Sequence, residues 1–519
     1  MKVQPHIVMV ASENDALIGG KVGGVGDVIR SLPNALATLG CTVTVIIPSY
    51  GFLHKDNPSK LLKRISFPFG GKQYEGEFYV VQPKQEHANV RHLLLEHPEL
   101  RGDPLYYNDP SDSPFLRDAA KYALFCSAVG KYLTTIQEPF VLHLHDWHCG
   151  FLFLLRELHP EFSSLKSIQT VFTIHNLAIQ GTRPVQKHAS SVESWFPELF
   201  RNKEWVQDWK DPRYAEACFT PMAAGIQYAN KVNTVSPTYA DEILKANNIK
   251  NGDHGGEGLE QLLCTAKKEN RLFGILNGCD YPEGRTIPKQ SFPELCRLML
   301  REVEELKVKH PAYDTSEVVK RIERLANNPP GFLLASVARI VAQKLGLLFE
   351  RCSNGNLAVD EILNTVSQNN GIYIVLGNGD AKLEQQLDEL AKRCERLIII
   401  RGYSERLSEA LYANGSLFVM PSLFEPCGIS QMLAMRDSQP CLVNSVGGLR
   451  DTVMNGVNGF AFYGTSQRER ADNFVAAAQR ATDIFHHHKL LWEKITIEAG
   501  KARFTWGESA RRYFGLMYS

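Results

Sequence analysis

The chain reads as an α/β protein of two Rossmann-like units built on parallel sheets. Three observations lead there. Short apolar runs alternate with helical patterns nearly throughout, as expected of strands covered on both faces by crossover helices. The 519 residues exceed the ~250–300 at which a single core stops growing, so two domains are expected. Two of the apolar runs are followed by turns rich in glycine or bearing an acid, at the carboxyl ends of strands where open α/β sheets bind ligands.

Taken in order, Ile7–Val10, Thr42–Ile47, Phe140–Leu144 and Thr170–Ile174 read as strands of the first unit. Glu77–Val81 and Val90–Leu95 alternate as in an antiparallel insertion over about 70–100. Between the first two strands lies Gly19-Gly-Lys21-Val-Gly23-Gly24-Val-Gly-Asp27-Val28, followed by Val28, Ile29, Leu32, Leu36 and Leu39 on one helix face, with Gly40 as the stop. Glycines in such a loop let backbone N–H groups approach a phosphate closely, and Asp27 can cap the helix. Pro48-Ser49-Tyr50 occupies the place of the ribose-binding acid of nicotinamide proteins, so a dinucleotide fingerprint is not met. After Asp280 the pattern loosens around Pro282, Pro288 and Pro293, and a charged helical stretch from about 294 to 326 ends at Pro329-Pro330. A second unit begins with Gly331–Val337 and continues through strands at Ile372–Leu376, Leu397–Ile400 and Leu417–Met420. The expected division is therefore 1–278, a linker over 279–330, and a second unit over 331–490. No short repeat or low-complexity tract interrupts it.

Composition narrows the class. Lys+Arg and Asp+Glu are balanced at 57 each, which gives no reason to expect a nucleic-acid or anionic-membrane partner. Eleven cysteines scattered without regular spacing read as buried thiols, and no CxxC pair suggests structural zinc. The N-terminus runs into a strand after Lys2 without an apolar leader, and no apolar run reaches the ~18 residues of a membrane span. The expected location is cytoplasmic.

The segment Pro421-Ser-Leu-Phe-Glu425-Pro-Cys427-Gly428-Ile-Ser-Gln431 is the most informative in the chain. It joins a buried strand, Leu417–Met420, to a helical pattern from Met432. Glu425 can accept hydrogen bonds from sugar hydroxyls, and Cys427 and Gly428 can offer N–H groups at a helix start. A plain strand-to-helix turn with an ordinary capping acid is the competing, lesser reading of the same residues.

Lys21-Val-Gly-Gly-Val-Gly-Asp27-Val28 and Phe424-Glu-Pro-Cys-Gly-Ile-Ser-Gln431 resemble the paired signatures of bacterial glycogen synthases and plant starch synthases. Matching segments lie between and after them in the family's order: His143-Leu-His-Asp-Trp-His148, Thr173-Ile-His-Asn-Leu177, Asn233-Thr-Val-Ser-Pro237, Gly274-Ile-Leu-Asn-Gly-Cys-Asp280, Ala338-Arg-Ile-Val-Ala-Gln-Lys344, Gly402-Tyr-Ser-Glu405 and Gly447-Gly-Leu-Arg-Asp-Thr-Val453. The resemblance runs from about residue 6 to about 460. It implies the GT-B fold, twin Rossmann-like domains facing each other across a cleft, with the last helices, over 491–519, returning to the first domain.

The resemblance also implies a retaining glucosyltransferase that extends α-1,4-glucan from a nucleotide sugar, ADP-glucose in the family. UDP-glucose stays open as donor, since no residue quoted decides adenine against uracil. By family register, Arg339, Lys344, His175 and Glu425 are the catalytic group. Lys21, Gly23, Gly24, Tyr403, Cys427, Gly428 and Thr452 serve the donor, with Tyr403 stacking on the base. Asp27, Asp146, Trp147 and Asn277 lie on the acceptor or sugar side. Two cations and a helix N-terminus aimed at one diphosphate would stabilise its departing charge. No Asp-x-Asp triplet occurs, so no metal and no cofactor is expected, and Arg339, Lys344 and Lys21 would do the neutralising. Partners are a nucleotide sugar and an α-1,4-glucan, with oligomeric state undetermined.

Two departures from the family stand out. Leu345 intervenes between Lys344 and Gly346, which can shift the phosphate-binding helix start, and the stretch after Asp280 lacks the usual continuation. They leave room for a catalytically silent glucan-binding homologue. Retention of Lys21, His175, Arg339, Lys344 and Glu425 argues against it, because a binder needs no diphosphate cations. A phosphorylase is disfavoured, as no pyridoxal-phosphate lysine context is recognisable. Gly252–Gly258 reads either as a mobile flap or as a plain surface loop.

Overall fold

Strands buried on both faces must be apolar along their length, and the first unit is built on such runs. They are β1 (His6–Val10), β2 (Thr42–Pro48), β3 (Ser59–Phe69), β4 (Lys72–Val81), β5 (Val90–Glu96), β6 (Val141–His145), β7 (Thr170–Ile174), the short ribbon β8 (Arg183–Pro184) and β9 (Cys218–Phe219), β10 (Lys231–Thr234) and β11 (Leu272–Gly274). The structure is a computed structural model that describes residues 5–102, 105–107, 115–201, 204–209, 213–214, 216–282, 289–309 and 313–518; Lys2 and Pro288 lie outside these residues. The chain divides into two compact units, one of Met1–Ala246, Gly255–Gly278 and Trp506–Ser519, the other of Asn247–His254 and Cys279–Thr505.

The first sheet runs β11-β10-β7-β6-β1-β2-β5-β4-β3, parallel except for the β4 pairings. The strand order reverses beside β1, between β2 on one side and β6 on the other. The antiparallel insertion begins earlier than its alternation suggests. β3 is an edge strand whose first half, with Lys60, Lys63 and Arg64, is exposed, which is how an edge is kept from pairing with another chain. β5, expected within that insertion, pairs in parallel with β2 as well as antiparallel with β4.

The helix Gly24–Thr38 buries Val28, Ile29, Leu32 and Leu36 against one sheet face, as its periodicity predicts. On the same face lies the last helix, Trp506–Met517, through Trp506, Ala510, Tyr513 and Met517. Asn233 Nδ2, on β10, donates to the Tyr513 hydroxyl at 2.9 Å, and Gln169 Nε2 donates to the Met517 carbonyl at 3.1 Å.

The second unit carries β12 (Phe332–Val337), β13 (Gly371–Gly377), β14 (Leu397–Arg401), β15 (Leu417–Met420), β16 (Cys441–Asn444) and β17 (Gly459–Phe462). All pairings are parallel, in the order β14-β13-β12-β15-β16-β17. That is the doubly wound Rossmann order, and its switch point lies between β12 and β15.

Two boundaries differ from the sequence reading. The helical stretch expected over about 294–326 forms two amphipathic helices, Phe292–Lys309 and Ser316–Ala326, but they are part of the second unit and not a linker, since Leu295, Met299, Val303, Leu306 and Ile322 belong to the core beneath the second sheet. The helix Lys489–Lys501 stays in the second unit, with Ile495 and Ala499 in its cores. The return to the first unit thus begins at Trp506 rather than 491. The segment Gly252–Gly258 is tied down at both ends: Arg470 pairs with Asp253 and donates to the Asn251 carbonyl at 2.8 Å, and the Gly256 N–H donates to the Lys245 carbonyl at 2.7 Å.

The Asn233–Tyr513 bond yields a stability prediction. Tyr513→Phe leaves a buried amide donor without its acceptor and is expected to cost about 1–3 kcal/mol in denaturant unfolding. An unchanged midpoint would show that the amide finds another partner.

Candidate active site

In the second unit the sequence-predicted cations and acid converge on the switch point. Arg339 follows β12 and is exposed, and no hydrogen bond or ion pair engages its side chain among the described residues, while its carbonyl accepts the Val341 N–H at 3.0 Å. Val341 then adopts extended backbone as the cap of a short helix, Ala342–Leu345. Leu345 is the last residue of that helix and is buried in the core with Leu347 and Leu348. From this turn the Lys344 ammonium reaches the Glu425 carboxylate, which arrives on the loop after β15.

The Glu425 loop is fixed from three sides. Ser422 Oγ donates to Glu425 Oε2 at 3.1 Å, Asn444 Nδ2 donates to the Ser422 carbonyl at 2.9 Å, and Gln343 Nε2 donates to the Phe424 carbonyl at 3.1 Å. The Gly448 N–H donates to the Glu425 carbonyl at 3.0 Å. Gly447 has φ +44°, and a Cβ there would lie 1.9 Å from that carbonyl oxygen, so only glycine lets this turn lie against residue 425.

Several donor-side expectations change. Thr452 is buried and works inside the turn, its hydroxyl donating to the Gly448 carbonyl at 2.7 Å while Gln431 Nε2 donates to it at 3.3 Å. It supports the Gly447-Gly448 turn instead of lining a nucleotide pocket. Cys427 and Gly428 do not open the helix, which starts at Ser430 with Ile429 as its cap. Gly428 is required by its φ of +73°. Tyr403, on the turn after β14, is 63% exposed, in keeping with a surface for stacking.

The first unit places its candidates at the carboxyl ends of β1, β6 and β7. The glycine loop was expected to offer N–H groups to a phosphate, but a carboxylate of the chain already takes two of them. Val22 and Gly23 N–H both donate to Glu13 Oε2 at 2.6 Å, and the Tyr106 hydroxyl donates to Oε1 at 3.1 Å. A Cβ on Gly23 or Gly26 would come within 3.2 Å of the Glu13 oxygens, so these glycines make room for Glu13. Burial pushes the Glu13 carboxyl up, and these donors oppose the shift. Sequence reasoning missed Glu13; its one signal is an acid three residues beyond the end of an apolar strand. Gly24 opens the helix, and Asp27 does not cap it. Asp27 lies in the first turn and pairs with Lys21 at 2.6 Å, and Lys21 is also 3.8 Å from Asp15. Burial raises the Asp27 carboxyl, while Lys21 counteracts this.

Asp146 directly follows β6 with φ +59°, a positive φ that a non-glycine residue holds only when its surroundings impose it. Its Oδ1 accepts the His175 N–H at 2.8 Å. Burial raises the carboxyl to about 7, against the N–H groups of His175 and Asn176. Trp147, expected in the cleft, is instead core: it is buried beside Phe115 and Tyr122, and a Cβ at Gly181 would lie 2.0 Å from its ring. Asn277 is buried, and its Oδ1 has no hydrogen-bond partner among the described residues.

His175 follows β7 and sits in a row of rings. Its Nε2 is 3.0 Å from His145 Nδ1, and the His145 and His143 rings lie 4.1 Å apart. Thr173 Oγ1 donates to Asn233 Oδ1 at 2.6 Å, so it accepts from His143 Nε2–H, also at 2.6 Å. His143 Nδ1 then accepts from the Tyr518 hydroxyl at 2.7 Å. Burial lowers His143 and His175 to about 3 and His145 well below its ordinary value. His175 is therefore a neutral hydrogen-bonding group near pH 7.

Residues 6–265 match the family model described as Starch synthase catalytic domain, and residues 346–482 match Glycosyl transferases group 1. A glycogen synthase of Lactobacillus acidophilus is 31% identical over 507 residues, covering 95% of this chain and 95% of that protein. A glycogen synthase of Francisella tularensis subsp. novicida is 29% identical over 508 residues, covering 96% and 95%. Among solved structures, the catalytic domain of Starch Synthase IV from Arabidopsis thaliana bound to ADP and acarbose aligns over 99% of both chains with a TM-score of 0.74 at 24% identity. Sucrose-phosphate synthase from Thermosynechococcus elongatus aligns over 99% and 98% with a TM-score of 0.54 at 16% identity. These two likenesses speak for the fold.

The buried histidines make stability pH-dependent in a stated direction. Their folded pKa values lie below the unfolded value, so the unfolded chain binds more protons once pH falls below about 6.5, and stability drops there by up to ~1.4 kcal/mol per pH unit for each histidine. Denaturant unfolding at pH 7 and pH 5 is expected to show this fall, with a shallower slope in His143→Gln. Equal slopes would mean that His143 is not held neutral by burial.

Proposed function

The chain belongs to the starch synthase and glycogen synthase family of glycosyltransferases, and on that premise we propose that it transfers glucose from ADP-glucose to the non-reducing end of an α-1,4-glucan, with retention at the anomeric carbon. The observation that carries the reading is the arrangement at the second switch point, where Arg339 and Lys344 follow β12 and Glu425 follows β15. The Arabidopsis protein solved with ADP and acarbose supports an adenine nucleotide and an α-glucan-like acceptor.

In transfer, the bond from the anomeric carbon to the diphosphate oxygen lengthens, and negative charge accumulates on the leaving group. Arg339 and Lys344 stabilise that charge, and no resident metal is needed for this role. The arriving diphosphate draws Lys344 from Glu425, whose carboxylate turns to the glucose hydroxyls. The acceptor 4-hydroxyl attacks on the face from which the diphosphate leaves; the new C–O bond forms as the old one breaks, and the hydroxyl proton passes to the departing phosphate oxygen. Glu425 is the carboxylate assigned to the sugar, and its hydroxyl contacts leave it no role as a nucleophile. Neutral His175 serves as a hydrogen-bonding group against the donor glucose. Among the described residues no helix is long and apolar enough to cross a membrane, and a cytoplasmic location accompanies the proposal.

The test is nucleotide release from ADP-glucose and separately from UDP-glucose, with and without a maltooligosaccharide primer, beside Lys344→Ala. Primer-dependent ADP release that falls ~10²-fold or more in the variant is expected, the scale of losing one transition-state charge partner. Release from UDP-glucose alone would change the donor and keep the chemistry. Glucan binding with no release from either would replace the proposal by a silent homologue.

A further inference from the structure

Tyr403 is open to solvent, yet the residues on either side of it are buried and fixed by one helix, Phe292–Lys309. Gly402 has φ +129°, and a Cβ there would lie 2.5 Å from Leu306 Cδ2; its N–H donates to the Gly377 carbonyl at 2.9 Å. Ser404 Oγ donates to Glu302 Oε2 at 2.7 Å while accepting the Leu407 N–H at 3.1 Å, which caps the helix Glu405–Asn414. Glu302 and Leu306 are four residues apart and so share one face of their helix.

Glu302 is an expensive residue to place here. It is 4% exposed, and its Oε1 has no hydrogen-bond partner among the described residues, with the Arg406 guanidinium 4.0 Å away. A valine or leucine would fill the position without that desolvation. What the carboxylate does provide is an acceptor for Ser404, directly beside Tyr403.

We propose that Glu302 is a positioning residue for the donor's nucleotide base: with Leu306 it clamps the Gly402–Ser404 turn and so presents the Tyr403 ring for stacking. A stacking partner contributes most when its backbone is already fixed before the ligand arrives, because binding then carries no cost of ordering it. The inference rests on the reading of Tyr403 as the partner of the base.

Steady-state kinetics with the donor selected by the release assay, and calorimetric binding of the matching nucleoside diphosphate, test it on Tyr403→Ala, Glu302→Ala, Glu302→Gln and the double alanine variant. Both single alanine variants are expected to raise KM and Kd about tenfold, within the range of one base–aromatic stack, with kcat changed less than about twofold, the pattern of lost ground-state binding. Glu302→Gln, whose amide oxygen still accepts from Ser404, is expected to restore both constants. The double variant is expected to be no worse than Tyr403→Ala, since the two act as a unit. Raised constants in Tyr403→Ala alone would overturn the role of Glu302 and leave the base reading standing. No change in Tyr403→Ala would overturn both. If Glu302→Ala does not fold, Ser404→Asp keeps a capping side chain but sets a carboxylate against Glu302; wild-type KM and Kd in that variant would equally overturn the proposal.

Discussion

A lysine ammonium held against a glutamate carboxylate, at the place where a parallel sheet reverses its strand order, is the contact on which the second unit's chemistry depends. Taking two charges out of water is costly, and their attraction offsets that only when the remaining hydrogen-bonding positions are filled. The chain fills them with Ser422 on the carboxylate and with Asn444 and Gln343 on the loop that carries it. The two glycines at 447–448 then let a third segment lie flat against that loop. The residues around Glu425 are thus the supports that a partly buried ion pair requires.

The first unit solves a related problem with the opposite sign. A glycine turn before a helix presents N–H groups that need an anion, and Glu13 supplies one from within the chain. Nearby, Asp146 does the same for the N–H of His175. Both carboxyls are pushed up by burial, so each is held in charge balance by a few backbone donors. The histidine row beyond them is neutral, which keeps a crowded polar core free of uncompensated cations.

Much of this is legible in the sequence because the signals are local. Leu417–Met420 and Gly331–Val337 read as strands since parallel strands are apolar throughout, and Val28, Ile29, Leu32 and Leu36 disclose their helix by period alone. Glu425 stands out by its place in the turn after a buried strand, whereas Arg339 and Lys344 are found through the family resemblance of their segment, since an arginine and a lysine near a helix start are common in any protein. What stays hidden depends on contacts distant in sequence. Whether Trp147 faces a ligand or the core is decided by Phe115 and Gly181, and whether Thr452 lines a pocket is decided by Gln431. The helical character of the stretch over about 294–326 is legible, but its membership of the second unit is not, because its apolar face has a partner only once the second sheet exists. β3 is lost for a related reason: the exposed half of an edge strand carries no alternation.

The assignment of Trp506–Met517 to the first unit bears on how the protein is made. Domains generally fold as they leave the ribosome, the N-terminal one first. Here the face of the Gly24–Thr38 helix is completed by Trp506, Tyr513 and Met517, and the hydroxyl that holds His143 belongs to Tyr518. The unit whose synthesis begins first cannot close its core until the ribosome has passed these residues. Throughout the translation of the second unit, an apolar stripe and a buried histidine site wait uncovered. The interval between the first strand and the helix Trp506–Met517 is the period in which that apolar face lacks its partner.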